Sequence, residues 1–297
     1  MGRAAFQGEV GAFSEEAAGL LLPSLEPWPY PTFEAVFEAL VSGGVVGAVV
    51  PIENTLFGSV HVNYDLLREH DVHIVGEIFL RIRHNLLVLP GTGLEDIRFV
   101  ISHPQALGQC KSFLKEKLPG AEQVSAYDTA GAAKRLATEQ RSDSAAIASL
   151  KAADMYSLDV LASNIESNHQ NYTRFLALSG CKPDVAPTGT TAAGEFRRSD
   201  FRTSIVYALG DTVPGTLFRT LAVFADRDID LLKIESRPLI GTPGSYLFYL
   251  DLDGGVANVD VEEALSDLRG MADFVKVLGS YPRGEWADGS QLSAGPH

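Results

Sequence analysis

Four short polar segments hold residue types that could bind a small molecule and move a proton. The first, Gly8-Glu9-Val10-Gly11-Ala12-Phe13-Ser14, lies between an apolar strand and an amphipathic helix. Its glycines let the backbone approach a ligand, and the helix start offers free N–H groups to a carboxylate. It also reads as a plain tight turn with Ser14 as N-cap. The second, Pro51 to Val60, sets Glu53, Asn54 and Thr55 directly after the apolar run Val45–Val50. Amide and hydroxyl groups there can donate and accept hydrogen bonds, or simply bond their own loop. The third, Ser102-His103-Pro104-Gln105-Ala106-Leu107, crowds a hydroxyl, an imidazole and an amide at a helix start where Pro104 fits the first helical position. His103 reads as a proton carrier or as a cap. The fourth, Asn171-Tyr172-Thr173-Arg174-Phe175, offers Thr173 as a directed donor and Arg174 as a bidentate carboxylate clamp.

The elements that must carry these groups follow from hydrophobic spacing. Phe33, Val36, Phe37, Leu40 and Val41 fall on one helical face behind Thr32 as N-cap. Val45–Val50 is apolar throughout, as a strand buried in a parallel sheet is. Strand and helix then alternate: Ile97–Ile101, Pro104–Leu118, Gln123–Ala126, Thr129–Glu139 capped by Asp128, Ser144–Ala148 and Leu150–Tyr156. That alternation predicts α/β architecture in two sub-blocks. The crossing falls at 73–89 and the return near Thr173. Ligands of such sheets sit beyond the carboxyl ends of the strands, where the four segments lie.

Residues 183–201 are rich in Pro, Gly and Thr and read as a linker. From 202 to 281 the pattern is β-α-β-β-α-β, the order of a ferredoxin-like domain. The tail from 282 to 297 is Gly-rich and polar and is expected to be disordered.

Composition narrows the function classes. The 297 residues are 45% hydrophobic and 21% charged, with a formal net charge of −14. Such a charge opposes duplex nucleic acid and anionic membranes as partners. An anionic substrate would need local donors. Cys110 and Cys181 are the only cysteines, too few and too far apart for a metal set or a disulfide framework. Free thiols suit a reducing cytosol, and 1–7 lacks the apolar core of a signal peptide. A cytoplasmic protein is the expectation. No Gly-x-Gly-x-x-Gly is found either, so no metal or nucleotide cofactor is expected.

Taken in order, Gly-x-x-Gly-x-Phe-Ser, Pro-Ile-Glu-Asn-Thr, His-Pro-Gln-Ala-Leu and Asn-Tyr-Thr-Arg-Phe resemble the prephenate dehydratases. The C-terminal part resembles the ACT regulatory domain usually fused to them. The resemblance spans about residues 4–281. It implies a two-lobed catalytic domain like periplasmic binding proteins (1–182) and an ACT domain of ferredoxin-like fold (202–281). Thr216, Ser167 and Phe57 stand where the family usually has Ala, Asp and a small or polar residue. No helical segment like a chorismate mutase precedes residue 1, so a single activity is expected.

The resemblance further implies decarboxylating dehydration of prephenate to phenylpyruvate, driven by aromatisation without a cofactor. Thr173 would donate to the leaving hydroxyl, while Asn54, Gln105 and Ser102 orient the reacting ring. Ser14, Glu53, Thr55, Arg174 and Phe175 would bind substrate. Phenylalanine would bind the ACT domain through Pro214, Gly215, Thr216 and Leu217, with Glu235, Ser236, Arg237 and Pro238. A homodimer or homotetramer is implied. Two other readings stay open: arogenate as the substrate, or a non-catalytic amino-acid sensor.

Overall fold

The computed structural model describes residues 2–181, 190–191, 194–195, 198–209, 214–239, 241–242 and 245–288. In chain order the elements are β1 (Arg3–Gln7), α1 (Phe13–Leu21), β2 (Glu26–Tyr30), α2 (Phe33–Val41), β3 (Gly47–Asn54), β4 (Gly58–Ser59), α3 (His61–Glu69), β5 (His73–Arg81) and β6 (Asn85–Val88). Next come β7 (Phe99–Ser102), α4 (Pro104–Gln109), α5 (Lys111–Lys117), β8 (Glu122–Ser125), α6 (Thr129–Glu139), β9 (Ser144–Ala148), α7 (Leu150–Tyr156), β10 (Asp159–Ala162) and β11 (Tyr172–Ser179). The remainder is β12 (Thr190–Thr191), β13 (Gly194–Glu195), β14 (Phe201–Ala208), α8 (Thr216–Ala225), β15 (Leu231–Pro238), β16 (Tyr246–Asp253), α9 (Val259–Met271), β17 (Phe274–Pro282) and β18 (Trp286–Ala287).

The chain divides into two compact units. One holds Met1–Asn63, Ile78–Phe175 and the chain from Trp286; the other holds Tyr64–Glu77 and Leu176–Glu285. The first unit carries two α/β lobes, as expected. In one sheet, of order β18-β5-β11-β3-β1-β2, β1 lies parallel to both β2 and β3. The second sheet runs β10-β6-β9-β7-β8, with β7 parallel to β8 and β9 and β6 antiparallel to β9. Ala48, Val49 and Val50 of β3 are fully buried, as are Ala145, Ala146 and Ile147 of β9. Each fully buried Val or Ile stabilises the fold by about 1.5–3 kcal/mol, so both strands are fixed in register against their neighbours.

Three local expectations change. The segment 104–118 is two helices, not one: Cys110, at φ −96° and ψ 8°, breaks it between α4 and α5. Strand β2 was hidden by Pro27 and Pro29, which are tolerated because β2 sits at the sheet edge. The expected disorder from 282 is corrected as well. β17 reaches Pro282, and β18 pairs in parallel with Phe79 and Leu80 of β5. Trp286 stacks on Phe79 at 4.6 Å and meets Tyr172 edge-on, so one aromatic anchor orders a polar stretch. Residues 289–297 and most of the expected 183–201 linker lie outside the described residues, as do Pro243 and Gly244 of the turn between β15 and β16.

In the second unit the sheet order is β15-β16-β14-β17, all antiparallel. With α8 and α9 this is the expected ferredoxin-like βαββαβ arrangement. Ile205, Tyr207, Leu250 and Leu252 meet Phe224, Val261, Leu265 and Leu268 in its core. Residues of α3 bond to this same unit. Lys276 Nζ donates to the carbonyls of Leu67, Arg68 and His70, and Tyr249 donates to Tyr64 O at 3.1 Å. Among the described residues no helix is long and apolar enough to cross a membrane.

Helix α1 carries a pH-sensitive group. Burial pushes the Glu16 carboxyl up from 4.5 to about 7, against the pull of Lys151 and Arg83. A carboxyl raised on folding contributes stability that is complete below its unfolded value and lost as pH rises through its folded value. Glu16→Gln is therefore expected to match the parent at about pH 4. At about pH 8 it should be the more stable by roughly 2–3 kcal/mol. Urea unfolding at the two pH values checks this.

Candidate active site

The carboxyl ends of β1, β2, β3, β7 and β8 each run directly into a helix start or a loop that lines one cavity. Gln7, Thr32, Asn54, His103 and Asp128 mark those five exits. All the lining residues belong to the first unit. The cavity measures about 480 Å³, within the usual range for a small-molecule site. Phe13, Phe33, Pro51, Val60, Ile82 and Phe175 supply apolar surface.

One hydrogen-bonded polar pair is among its lining residues. Asn54, the last residue of β3, donates its amide to Thr173 Oγ1 at 3.0 Å, to Asn171 Oδ1 at 2.9 Å and to Tyr172 O at 3.2 Å. Its own Oδ1 accepts from the Leu56 and Phe57 N–H groups. The Asn54 amide is thus fixed in orientation. Because Thr173 Oγ1 accepts from Asn54, the Thr173 hydroxyl hydrogen is free to point elsewhere. Thr173 is only 9% exposed and lines the cavity. The pair therefore leaves Thr173 an O–H free to donate in a poorly solvated place.

The second feature is the start of α1. Its N-cap is Ala12, which has no side chain to bond the first N–H groups, and a helix leaves those groups unpaired. Phe13 and Ser14 line the cavity at this point. The starts of α2 and α6 also face it, though Thr32 and Asp128 cap them by accepting from Ala35 and Gly131. No Lys or Arg is among the described residues that line the cavity. The uncapped start of α1, equal to about half a positive charge, stands there instead, whereas the starts of α2 and α6 carry Glu34 and Asp128. Gly11 makes the approach possible. It sits at φ +93°, and a Cβ there would lie 2.9 Å from Ala152 Cα. Ser149 Oγ and Tyr156 Oη donate to the carbonyls of Gly11 and Val10, fixing the loop.

The wall provided by α4 and α6 is polar. His103 Nδ1 accepts from Gln105 N, so Nε2 carries the hydrogen of the neutral ring. Burial holds this imidazole below its ordinary value, with Asp128 pulling the other way. Gln105 and Gln109 both line the cavity, as does His84. Asp128 accepts from Glu9 N at 3.0 Å as well as from Gly131 N, and burial raises its carboxyl above the ordinary value.

Of the residues expected to touch substrate, Asn54, Gln105, Ser14, Thr173 and Phe175 line the cavity. Four others do not. Ser102 is fully buried and donates to Ile147 O at 2.6 Å, tying β7 to β9. Thr55 donates to Gln170 O and accepts from Tyr172 N, tying the end of β3 to the entry of β11. Glu53 lies in register with Ser59 of β4. Arg174 is 4% exposed with its guanidinium 6.0 Å from the Phe79 ring. Side chains alternate along a strand; Thr173 and Phe175 take the cavity side, so Arg174 takes the other. Gln109 and His84 were missed. Gln109 was legible, since it follows Gln105 by four residues and so shares its helical face. His84 gave no sequence signal beyond lying in the crossing segment.

In the second unit, Pro214, Gly215 and Leu217 are exposed at the start of α8 beside half-buried Thr216, and Glu235, Ser236, Arg237 and Pro238 close β15. Arg237 is committed to α3: its Nε and Nη2 donate to the two oxygens of Asp65 at 3.1 and 2.6 Å.

Fold and site define a two-lobed α/β enzyme cleft, lined by amide, hydroxyl and carboxyl groups and by helix starts, on a chain that also carries a ferredoxin-like unit. The family model described as prephenate dehydratase matches residues 4–182. The chain is 46% identical over 289 residues to arogenate dehydratase/prephenate dehydratase 2, chloroplastic, of Arabidopsis thaliana, covering 94% of this chain and 72% of that protein. It is 46% identical over 294 residues to arogenate dehydratase 2 of Petunia hybrida, covering 94% and 71%. Among solved structures, prephenate dehydratase from Arthrobacter aurescens in complex with L-Phe superposes with a TM-score of 0.84 at 32% identity, covering 95% of this chain and 90% of that one. GqqA, described as a novel type of quorum quenching acylase, gives 0.84 at 31% identity, covering 94% and 97%. The chain belongs to the prephenate dehydratase family and is a dehydratase of the lyase type. The expectation of a cytoplasmic protein is corrected by the Arabidopsis relatives, which are chloroplastic by name. Free thiols mark a reducing compartment without saying which one.

Proposed function

We propose that this chain converts prephenate to phenylpyruvate, and that the bond from Asn54 to Thr173 is the observation that carries the assignment. The reaction takes up one proton. The C–O bond to the ring hydroxyl breaks, the ring carboxylate leaves as CO2, and its bonding electrons complete the aromatic ring. The departing oxygen takes the proton and leaves as water. Thr173 presents its O–H to that oxygen, and bulk water makes good the proton. Uncapped N–H groups of α1, with Ser14, bind a carboxylate, and Gln105 and Gln109 offer further donors. The apolar residues hold the ring and exclude water, which strengthens each oriented donor. The test is product analysis of purified protein with prephenate. Stoichiometric phenylpyruvate and CO2 support the assignment; no turnover overturns it.

A second reading takes arogenate, which carries an ammonium where prephenate has a keto group. Glu34 and Asp128 line the cavity and, among the described residues, no Lys or Arg does, a balance that favours a cation at one end of the ligand. The names of the relatives include this substrate. The ratio of kcat/KM for the two substrates decides between the readings. Failure with both would leave the amino-acid sensor.

We further propose that the ferredoxin-like unit is an ACT domain that binds phenylalanine near Pro214–Leu217 and Glu235–Pro238. The fold and the L-Phe complex of the Arthrobacter protein support this. Leu217, Phe218, Ile234 and Tyr246 are exposed apolar residues of this unit and would pair two copies, so a homodimer or homotetramer is the proposed assembly. Arg237 would act here through Asp65 of α3, which follows the cavity-lining Val60 in the chain. Coupling between sites is typically about 1–3 kcal/mol. Arg237→Met is thus expected to shift the phenylalanine response by roughly tenfold with little change in the rate without phenylalanine. Activity titrated with phenylalanine measures it.

A further inference from the structure

We infer that His84 is a positioning residue: it takes up the amide oxygen of Gln109 and so turns the Gln109 NH2 group into the cavity as a fixed donor to the substrate. Only the identity of that substrate rests on the dehydratase reading. His84 is 2% exposed and stands between β5 and β6. Its backbone is held on both sides. The N–H donates to Glu166 Oε2 at 3.0 Å, and the carbonyl accepts from Ile165 N at 2.9 Å. The same segment holds Gln109, whose carbonyl accepts from Ser167 N at 2.9 Å. Phe13 packs edge-on against the imidazole at 5.9 Å.

The ring has one hydrogen-bonded nitrogen and one without a partner. Nε2 bonds Gln109 Oε1, while Nδ1 is buried with no partner. A hydrogen on Nδ1 would be an unpaired buried donor, which is costly. The neutral ring therefore carries its hydrogen on Nε2, the nitrogen facing the Gln109 oxygen. Burial also holds the imidazole below its ordinary value, against the effects of Gln109 and Glu166, which keeps it neutral. With its oxygen taken, Gln109 has only its NH2 end to offer a ligand. Were the amide reversed, its oxygen would face the ligand and repel a carboxylate. In a cavity lined by no Lys or Arg among the described residues, the direction of one amide dipole matters.

The first readout is the 15N spectrum of the full-length wild-type protein labelled at histidine. The Nε2–H tautomer at His84 is expected; an Nδ1–H tautomer overturns the inference. This reading needs no turnover, so it stands apart from the dehydratase assignment. The second is kinetic. His84→Gln, whose amide nitrogen reaches the Nε2 position, should keep kcat/KM within about fivefold, whereas His84→Met should lose about 10–100-fold, mainly in KM. Gln109→Leu should lose a similar factor, and the double variant His84→Met/Gln109→Leu should be no worse than Gln109→Leu alone. Additive losses, or a His84→Gln as poor as His84→Met, would assign His84 to packing only. If His84→Met does not fold, the tautomer and His84→Gln still decide.

Discussion

Thr173→Val is expected to lower kcat by about 10²–10⁴-fold while leaving KM within about threefold. Valine matches threonine in shape, so the packing of β11 should survive, and only the hydroxyl is lost. The size follows from the role. A hydroxyl that leaves a ring as hydroxide is a poor leaving group, and a donor aimed at it acts mainly in the transition state. Loss of such an interaction lowers kcat and kcat/KM together. Thr173→Ser keeps the O–H and the bond from Asn54 at 3.0 Å, so it should retain activity within about tenfold. Stopped assays with substrate at several concentrations separate kcat from KM.

Asn54→Asp should be nearly as damaging, about 10²–10³-fold in kcat, although it changes one atom. The wild-type amide nitrogen donates to Thr173 Oγ1, which leaves the hydroxyl hydrogen free. A carboxylate can only accept. It would capture the Thr173 hydrogen and turn the donor away from the substrate. It would also set a negative charge beside an anionic ligand. The same change removes the amide bonds to Asn171 Oδ1 and Tyr172 O, so some loss of stability is expected too. Melting curves recorded beside the kinetics separate the two effects. Asn54→Asp with wild-type kcat would show that the orientation of the Thr173 hydroxyl does not matter.

Much of this was legible in the sequence, because the signals were local. Thr32 and Asp128 cap their helices as oxygen-bearing side chains do. The apolar run at Val45–Val50 holds from Gly47 onward, where Ala48, Val49 and Val50 are buried in a strand parallel to β1; Val46 precedes the strand and is exposed. Other features depended on tertiary context. Ser102 looks like a site residue because it ends β7, yet its hydroxyl bridges to Ile147 O on a strand more than forty positions away. Arg174 looks like a clamp because it carries charge beside Thr173. The alternation along β11 already argued against it, and Phe79 receives it instead. The sequence offered both a placed Arg and the helix start at Phe13–Ser14 for a carboxylate; only the contacts of Arg174 and the lining of the cavity separate the two. The pairing of His84 with Gln109 was hidden, since 25 positions separate them.

Similarity of fold does not decide chemistry. The Arthrobacter prephenate dehydratase and the quorum quenching acylase superpose equally well on this chain. The distinction has to come from the site. A hydroxyl free to donate, neutral amides and an uncapped helix start suit departure of water and CO2 from a ring.

The most direct test is the rate at which phenylpyruvate appears from prephenate, with wild-type protein and Thr173→Val compared at equal concentration. Steady formation by the wild type is expected, with a rate at least about 10²-fold lower in the variant. Equal rates in the two samples, or no product from the wild type, would contradict this.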